Sequence, residues 1–213
     1  MKTLTALLLI FFSLTTYAQN AEPDNFTQGM KQGLSQLKGV KGHDDLVKTT
    51  NYFERIAQAE HKQWTPEYYA AYSNLLAGLT TTDNGQKDQF WDKALLELEK
   101  ANTLSADNSE IYALKGYIQF MKMSVDPRAR LSFMGLSATS LAQARKLNPE
   151  NPRIDLIAGQ NTFYTPETFG GGKAKAKPFL ESAVAKFAIF KPVSEIEPNW
   201  GIDTAKALLN NCN

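Results

Sequence analysis

Few side chains in this sequence have the chemical types and the spacings that catalysis or metal binding requires. The chain has two histidines, His43 and His61, and a single cysteine, Cys212. Neither histidine stands in an H-E-x-x-H pattern or another metal-ligand spacing, and no G-x-S-x-G nucleophile motif occurs. We expect His43 to be a solvated residue near a helix start and His61 to follow a helix end. The enzyme hypothesis therefore has no positive feature, and we expect a non-enzymatic protein without a metal site or a cofactor.

Cys212 lies one residue from the end of the chain. A lone thiol cannot form an intrachain disulfide or a cysteine-based metal site. It could link two chains, but a terminal thiol without a role is the simpler interpretation.

A glycine run followed by lysines could bind an anion. Gly170, Gly171 and Gly172 precede a helical segment that contains Lys173, and backbone N–H groups at such a place attract phosphate. The P-loop pattern fails, however, because Glu167 and Ala174 occupy positions where that motif has Gly and Ser or Thr. We favour a tight elbow that needs positive φ, with Phe169 tucked under the helices.

The first residues are typical of a secretory signal peptide, which we expect to span residues 1–18. Lys2 precedes an apolar run over 4–14, which is too short to cross a bilayer core of about 30 Å. Thr16 and Ala18 then place small residues at the −3 and −1 positions of a cleavage site. No later stretch is apolar enough to span a membrane. We expect an exported protein, located in the periplasm, that does not insert into the membrane after cleavage.

The composition is that of an ordinary globular protein, with 43% hydrophobic residues, 21% charged residues and a net charge of +1. The sequence has no basic excess of the kind that nucleic-acid binding requires. A nucleic-acid partner is therefore not expected.

The body of the chain repeats with a period of 43 residues. Leu98 and Leu141, Ala101 and Ala144, Asn108 and Asn151, and Gly116 and Gly159 are all separated by this interval. Within each unit the apolar residues recur at helical spacing. Each unit is therefore predicted to be two antiparallel helices: 66–79 with 88–104, 109–124 with 131–147, and 152–164 with 174–190.

The flanking segments are predicted to cap this array. We expect an N-terminal segment at 19–43 with a short helix near 26–38, and a helical-repeat domain at 44–213. Its ends are an amphipathic helix near 44–61 and a closing unit near 201–213. Such end units shield an otherwise exposed apolar face.

These features resemble the tetratricopeptide repeat (TPR) family. Ala94, Ala101 and the junction from Ala106 to Tyr112 are similar to that family's second-helix alanines and its inter-repeat junction, and Gly116 and Gly159 match its first-helix glycine. Lys115, Asp155 and the longer period depart from the family pattern. The resemblance covers about residues 50–190 and implies an all-α fold, a right-handed superhelical stack of antiparallel helix pairs (a TPR-like α-solenoid).

The tail adds a second resemblance. The run 165–172 with Pro198-Asn199-Trp200-Gly201 resembles the end of small exported bacterial TPR-like proteins and, more distantly, the periplasmic T component of some substrate-importing systems.

In TPR proteins the first helices line a concave groove, and this resemblance implies which side chains would face it. About half of them are expected to be buried against the neighbouring unit instead. Tyr117, Gln160 and Tyr164 are the best candidates for exposed groove residues, followed by Asn74. The candidate binding residues are Asn74, Tyr117, Phe120, Met121, Arg153, Gln160, Phe163 and Tyr164.

Two functions from different classes fit such a groove. Tyr, Met and Arg are enriched at protein interfaces, so we favour an adaptor that binds a protein or an extended peptide. The alternative is a small-ligand-binding accessory protein of an envelope transport system. Phe120, Met121, Phe163 and Tyr164 would then be pocket walls, and Gln160 or Arg153 would orient the ligand. A closed pocket would favour the carrier and an open trough the adaptor. Homo-oligomerisation through an end unit is a third hypothesis.

Overall fold

Helices account for the regular structure of the chain in the computed structural model, which describes residues 24–212. The described part contains nine α-helices and a single 3-10 turn, Glu167–Phe169. The predicted signal peptide 1–18 and the start of the N-terminal segment, 19–23, lie outside the described residues. The α-helices are α1 Asn25–Lys38, α2 His43–Ala59, α3 Trp64–Thr80, α4 Asn84–Leu104, α5 Ser109–Val125, α6 Ser132–Leu147, α7 Pro152–Tyr164, α8 Lys173–Ile189 and α9 Ile202–Asn210.

Consecutive helices pack as antiparallel pairs, so the predicted all-α class and pairing are confirmed. The pairs α3/α4, α5/α6 and α7/α8 make the most extensive contacts, α1 and α2 precede them, and α9 packs on α8. Two helices, α4 and α8, begin at residues other than those predicted from the sequence. α4 begins at Asn84 rather than near 88, because Asp83 caps it by accepting a hydrogen bond from the Gln86 N–H. α8 begins at Lys173 and continues through Pro178.

The 43-residue repeat has structural counterparts at the start and in the middle of α5 and α7. Asn108 and Asn151 each cap a first helix, their side chains accepting hydrogen bonds from the N–H groups of Glu110 and Arg153. Glycines further along allow the second helix of each pair to approach closely. A Cβ atom at Gly116 would lie 2.9 Å from Leu141 Cγ, and one at Gly159 would lie 2.8 Å from Leu180 Cγ.

The chain after α8 crosses the first helices of all three pairs. We call Pro198–Gly201 the strap. Trp200 in the strap packs against each of the three clusters that form the core. Its ring stacks on Tyr72 with centroids 4.5 Å apart, and its Nε1–H donates to the Tyr68 hydroxyl at 3.1 Å. The groove expected to be open is therefore partly filled by the chain itself.

Gly201 lets the strap turn into α9. Its φ is 116°, and a Cβ atom there would lie 2.7 Å from Leu156 Cδ2. Only glycine adopts this backbone conformation readily, and only glycine fits the space.

No helix within residues 24–212 is long and apolar enough to cross a membrane.

Candidate functional site

A large cavity lies where the first helices of the three pairs end. Its volume is about 1690 Å³. Leu79 comes from the end of α3, and the last two turns of α5 and α7 form the floor. The start of α4, the α5–α6 loop, the α7–α8 loop and α9 form the walls. Four separate segments of the chain, 79–88, 117–134, 160–169 and 204–208, therefore meet around one space.

Apolar side chains dominate the cavity, and fewer polar groups line it. Large apolar or aromatic residues from seven elements and loops contribute to it: Leu79, Tyr117, Phe120, Met121, Met123, Leu131, Met134, Tyr164, Phe169 and Leu208. Apolar lining with a few polar groups is typical of small-molecule sites. Several of the apolar groups are exposed at the mouth, where Leu131 is 60% and Phe169 76% accessible. Exposed apolar side chains around a cavity indicate a binding surface.

Five of the eight candidate binding residues line this cavity: Tyr117, Phe120, Met121, Gln160 and Tyr164. Phe120 and Met121 are mostly buried in the floor, whereas Tyr164 is 62% exposed at the mouth. The Tyr117 hydroxyl is hydrogen-bonded to Gln160, and burial raises the pKa of Tyr117 above its ordinary value. Tyr117 therefore presents a neutral phenol to the cavity.

The structure places Asn74, Arg153 and Phe163 away from the cavity. Asn74 is buried within α3, and both polar atoms of its amide lack a protein partner. Phe163 packs in the cluster between α7 and α8, edge-on to Tyr164 with ring centroids 5.1 Å apart.

Arg153 is fully buried and holds the strap. Its guanidinium pairs with Glu110 at 2.9 Å and donates to the Pro198 carbonyl at 2.6 Å. It also lies over the rings of Phe187, Phe190 and Trp200. These contacts occupy the side chain with the protein's own groups.

The α5–α6 loop is anchored over the cavity by an ion-pair cluster. The Arg130 guanidinium binds both carboxylate oxygens of Asp88, at 2.5 and 2.7 Å. Lys122 lies 2.5 Å from Asp92 and 3.5 Å from Asp88. The hydrogen bonds from Arg130 hold the pKa of Asp88 below its ordinary value. The loop is thus fixed to the first turns of α4.

The glycine run forms the expected elbow, but its N–H groups are already used. Gly170 and Gly172 have φ of 88° and 101°. The N–H groups of Gly170, Gly171 and Gly172 donate to the carbonyls of Glu167, Pro166 and Thr162. No anion cradle is formed there. Phe169 is not tucked under the helices as expected, because the 3-10 turn before the elbow points this ring toward the cavity mouth.

The histidines lie outside the cavity lining. His43 is the first residue of α2 and is bound through Nδ1 to the Thr80 hydroxyl at 2.8 Å, so it is not the solvated residue expected from the sequence. His61 is exposed beyond the end of α2. Within residues 24–212, no group of three or more His, Cys, Asp or Glu residues is arranged to hold a metal ion.

A second, smaller cavity of about 540 Å³ lies at the opposite ends of α5 and α7. The turns 105–110 and 147–151 and the segment 186–193 line it. Polar and apolar groups contribute to this lining in similar measure, so it lacks the predominantly apolar interior of the larger cavity. The larger cavity is the better candidate for a functional site.

Sequence reasoning missed the walls of the larger cavity. The start of α4, the loop residues Arg128, Arg130 and Leu131, and Thr204 and Leu208 of α9 come together only in the folded chain. One local signal was present: Leu131 and Phe169 are large apolar residues beside turns, where apolar side chains are seldom hidden.

Comparison with solved structures finds a close relative over nearly the whole chain. The HusA haemophore from Porphyromonas gingivalis has 30% sequence identity to this chain and superposes with a TM-score of 0.79. The match covers 92% of this chain and 95% of that chain. No protein-family profile matches the sequence, and no curated protein is significantly similar to it.

The expectation of a protein-binding or peptide-binding adaptor is wrong. The relative of this chain is a haemophore, a protein that carries a small molecule. The physical reason lies in the strap, because Trp200 and Pro198 pack against the first helices, where a peptide was expected to bind. The cavity that remains has the apolar character of a small-ligand site, as the alternative hypothesis anticipated.

Proposed function

This chain belongs to the same family as the HusA haemophore, and we propose that it binds haem in the large cavity at the ends of α3, α5 and α7. The protein would act as a carrier of haem for uptake through the cell envelope, not as an enzyme. The observation that supports this function best is the apolar cavity of about 1690 Å³, which lies where five of the candidate residues meet.

The size and lining of the cavity suit a flat, apolar macrocycle. Sites for drug-sized ligands have volumes of roughly 300–1,000 Å³, so this cavity has room for a larger molecule. Aromatic rings stack on such a macrocycle, and methionine sulfur makes favourable contacts with aromatic systems. Phe120, Met121 and Met134 offer these contacts from the interior, and Tyr164 and Phe169 offer them from the mouth.

Few of the side chains that line the cavity are of types that bind haem iron. Haem proteins commonly use His, Cys, Met or Tyr as iron ligands. Among the described residues that line the cavity there is no His or Cys, while Tyr117, Tyr164 and three methionines are present. Tyr117 is a neutral phenol engaged with Gln160. We infer that contacts with the macrocycle provide most of the affinity.

Several features of the chain accord with a carrier outside the cytoplasm. We propose that residues 1–18 direct export and are removed, and that the protein works in the periplasm. We further propose that residues 44–213 form one helical-repeat domain with end units near 44–61 and 201–213. The repeated asparagine caps and glycine contacts support a right-handed TPR-like superhelix for the three pairs.

Haem titration followed by absorbance tests the proposed function. The purified protein should shift the absorption spectrum of haem and bind it with saturation. Phe169→Ala should weaken binding about five- to tenfold, because an aromatic anchor at a binding site contributes about 1 kcal/mol or more. Phe169 is exposed, so this variant is expected to fold normally.

Ile189→Ala is the matched control. Ile189 is 75% exposed, as Phe169 is, but it lines the smaller cavity. Its substitution should leave haem affinity unchanged. A protein that does not bind haem, or one whose affinity falls equally in both variants, contradicts the assignment of this cavity.

A further inference from the structure

The mouth of the large cavity contains a cation that the protein leaves uncommitted. Among the described residues that line the cavity, the charged ones are Asp88, Asp126, Arg128 and Arg130. All but Asp88 belong to the α5–α6 loop, which the ion pairs with α4 hold in place. The charges of this loop are therefore at fixed positions relative to the cavity.

Arg130 and both aspartates are engaged within the protein. Arg130 donates to both oxygens of Asp88, and its Nη1 also reaches the Lys122 carbonyl at 3.4 Å. Asp88 is shared with Lys122. Asp126 accepts a hydrogen bond from the Ala129 N–H at 3.1 Å, which stabilises the turn of the loop.

Arg128 differs from these groups. It is exposed, and no hydrogen bond, ion pair or ring contact joins its guanidinium to another residue of the described part of the chain. It lies two residues from Arg130 on the same anchored loop and lines the same cavity. The cavity thus combines an apolar interior with one available guanidinium at its edge.

This combination suits an amphipathic ligand that carries carboxylates. A carboxylate placed among Phe120, Met121 and Met123 would lose its hydration without gaining a partner, which is strongly unfavourable. A carboxylate at the mouth keeps its contact with water and can accept two parallel hydrogen bonds from a guanidinium. The ligand is therefore oriented with its apolar body inward and its acidic groups outward.

We propose that Arg128 binds the propionate carboxylates of haem and so sets the orientation of the macrocycle in the cavity. This inference rests on the proposed haem-binding function. It assigns to Arg128 a role in selecting ligands that have free carboxylates over ligands of the same shape whose carboxylates are blocked.

The test compares haem with its dimethyl ester on the wild-type protein and on Arg128→Gln. Haem affinity should fall about tenfold in Arg128→Gln, since a charge-assisted pair at a partly desolvated edge is worth about one factor of ten. The dimethyl ester has no charge for Arg128 to recognise, so both proteins should bind it with equal affinity. Arg128→Lys should recover part of the loss, because a lysine keeps the charge but not the two parallel hydrogen bonds.

Arg55→Gln is the control for net charge. Arg55 is an exposed arginine of α2 that lies over the Tyr52 ring, outside the cavity lining. Haem affinity of this variant should stay within about twofold of the wild type at 0.15 M salt, where charges farther apart than about 8 Å are largely screened. A loss as large as that of Arg128→Gln would show a general effect of charge and overturn the inference.

The outcomes separate the inference from the proposed function. If the wild type binds haem but Arg128→Gln binds it equally well, the inference is wrong and the function stands. If Arg128→Gln loses haem and the ester to the same extent, Arg128 acts on the shape of the cavity and the inference is again wrong. If the wild type binds neither compound, both the function and the inference fail.

Discussion

Individual residues in this protein show how the same side-chain types serve either the core or the cavity. Arg153 is fully buried in an ion pair with Glu110, whereas Arg128 is exposed at the cavity mouth. A buried arginine must satisfy its donors within the protein, which leaves it unavailable to a ligand. Arg153 therefore supports the strap, and Arg128 remains free to recognise an anion.

Gly78 lies so close to the Trp91 side chain that adding a side chain at this position should destabilise the protein. A Cβ atom there would lie 2.2 Å from Nε1 of Trp91, whose N–H donates to the Leu75 carbonyl at 3.2 Å. Trp91 is almost completely buried, so it has no room to move away. We expect Gly78→Ala to lower the free energy of unfolding by about 2 to 3 kcal/mol, measured by urea denaturation.

Gly135 offers the opposite case in α6. No atom lies within 4 Å of a Cβ built there, and the residue is exposed. Gly135→Ala should raise the free energy of unfolding by about 0.5 to 1 kcal/mol, because alanine restricts the unfolded chain more and favours a helix. Equal effects of the two substitutions would contradict the contact between Gly78 and Trp91.

At the scale of helices, buried carboxylates join α2, α3 and α4. Glu67 of α3 is hydrogen-bonded to Glu97 of α4, with Lys100 and Glu54 of α2 beside them. Burial, followed by the hydrogen bond and the charge of Glu97, raises the pKa of Glu67 to about 8. Glu67 is therefore protonated at neutral pH and donates to Glu97, which places a pH-sensitive contact between the first helix pair and its cap.

The contribution of this contact to the free energy of unfolding should decrease with increasing pH. Glu67 holds its proton in the folded protein up to about pH 8 but loses it near pH 4.5 when unfolded. The folded state thus binds more protons between these values, so the free energy of unfolding falls as pH rises from about 4.5 to about 8. Melting temperatures measured across this range should show the decline in the wild type and a weaker one in Glu67→Gln.

Glu99→Gln is the control on the same helix. Glu99 is exposed on α4, so its substitution should leave the pH dependence as it is in the wild type. A wild-type melting temperature that rises steadily from pH 5 to pH 8 would show that Glu67 is ionised in the folded protein.

At the scale of the whole molecule, the strap determines which part of the first helices stays accessible. It contacts α3 through Tyr68 and Tyr72, and α7 through Arg153 and Leu156. The hydrogen bond between Trp200 and Tyr68 joins residues 132 positions apart. After the strap, α9 contributes Thr204 and Leu208 to the cavity wall. The chain after α8 therefore both covers part of the first helices and completes the lining of the large cavity.

Trp200→Ala should destabilise the entire described fold and weaken haem binding together. Removing a large aromatic ring from a core costs about 3 to 5 kcal/mol, and Trp200 touches all three core clusters. Because the ring is only partly buried, we expect a loss near the lower value, about 3 kcal/mol, in denaturant unfolding. Haem affinity should also fall, because α9 would be held less firmly against the cavity.

Val193→Ala is the corresponding control before the strap. Val193 is 90% exposed, so the substitution should change the free energy of unfolding by less than about 0.5 kcal/mol. If Trp200→Ala unfolds at the same denaturant concentration as the wild type, the strap does not support the stack.

The sequence by itself determined the helices, their pairing and part of the cavity. Helical periodicity and asparagine caps such as Asn108 and Asn151 act over a few residues, so they can be read locally. The first-helix pattern also placed Tyr117, Gln160 and Tyr164 on one predicted groove, and all three line the cavity. Only Tyr164 is exposed as expected, because Tyr117 is half-buried and Gln160 is buried between neighbouring helices.

Only the tertiary structure decided which surface stayed open. The return of Trp200 to Tyr72 and the placement of Arg128, Phe169 and Leu208 around one cavity depend on contacts between distant parts of the chain. No local propensity encodes such contacts, since they form only when packing in the core outweighs the entropy lost in closing long loops. For this reason the sequence predicted a groove for a peptide, whereas the folded chain has a cavity that suits a small ligand.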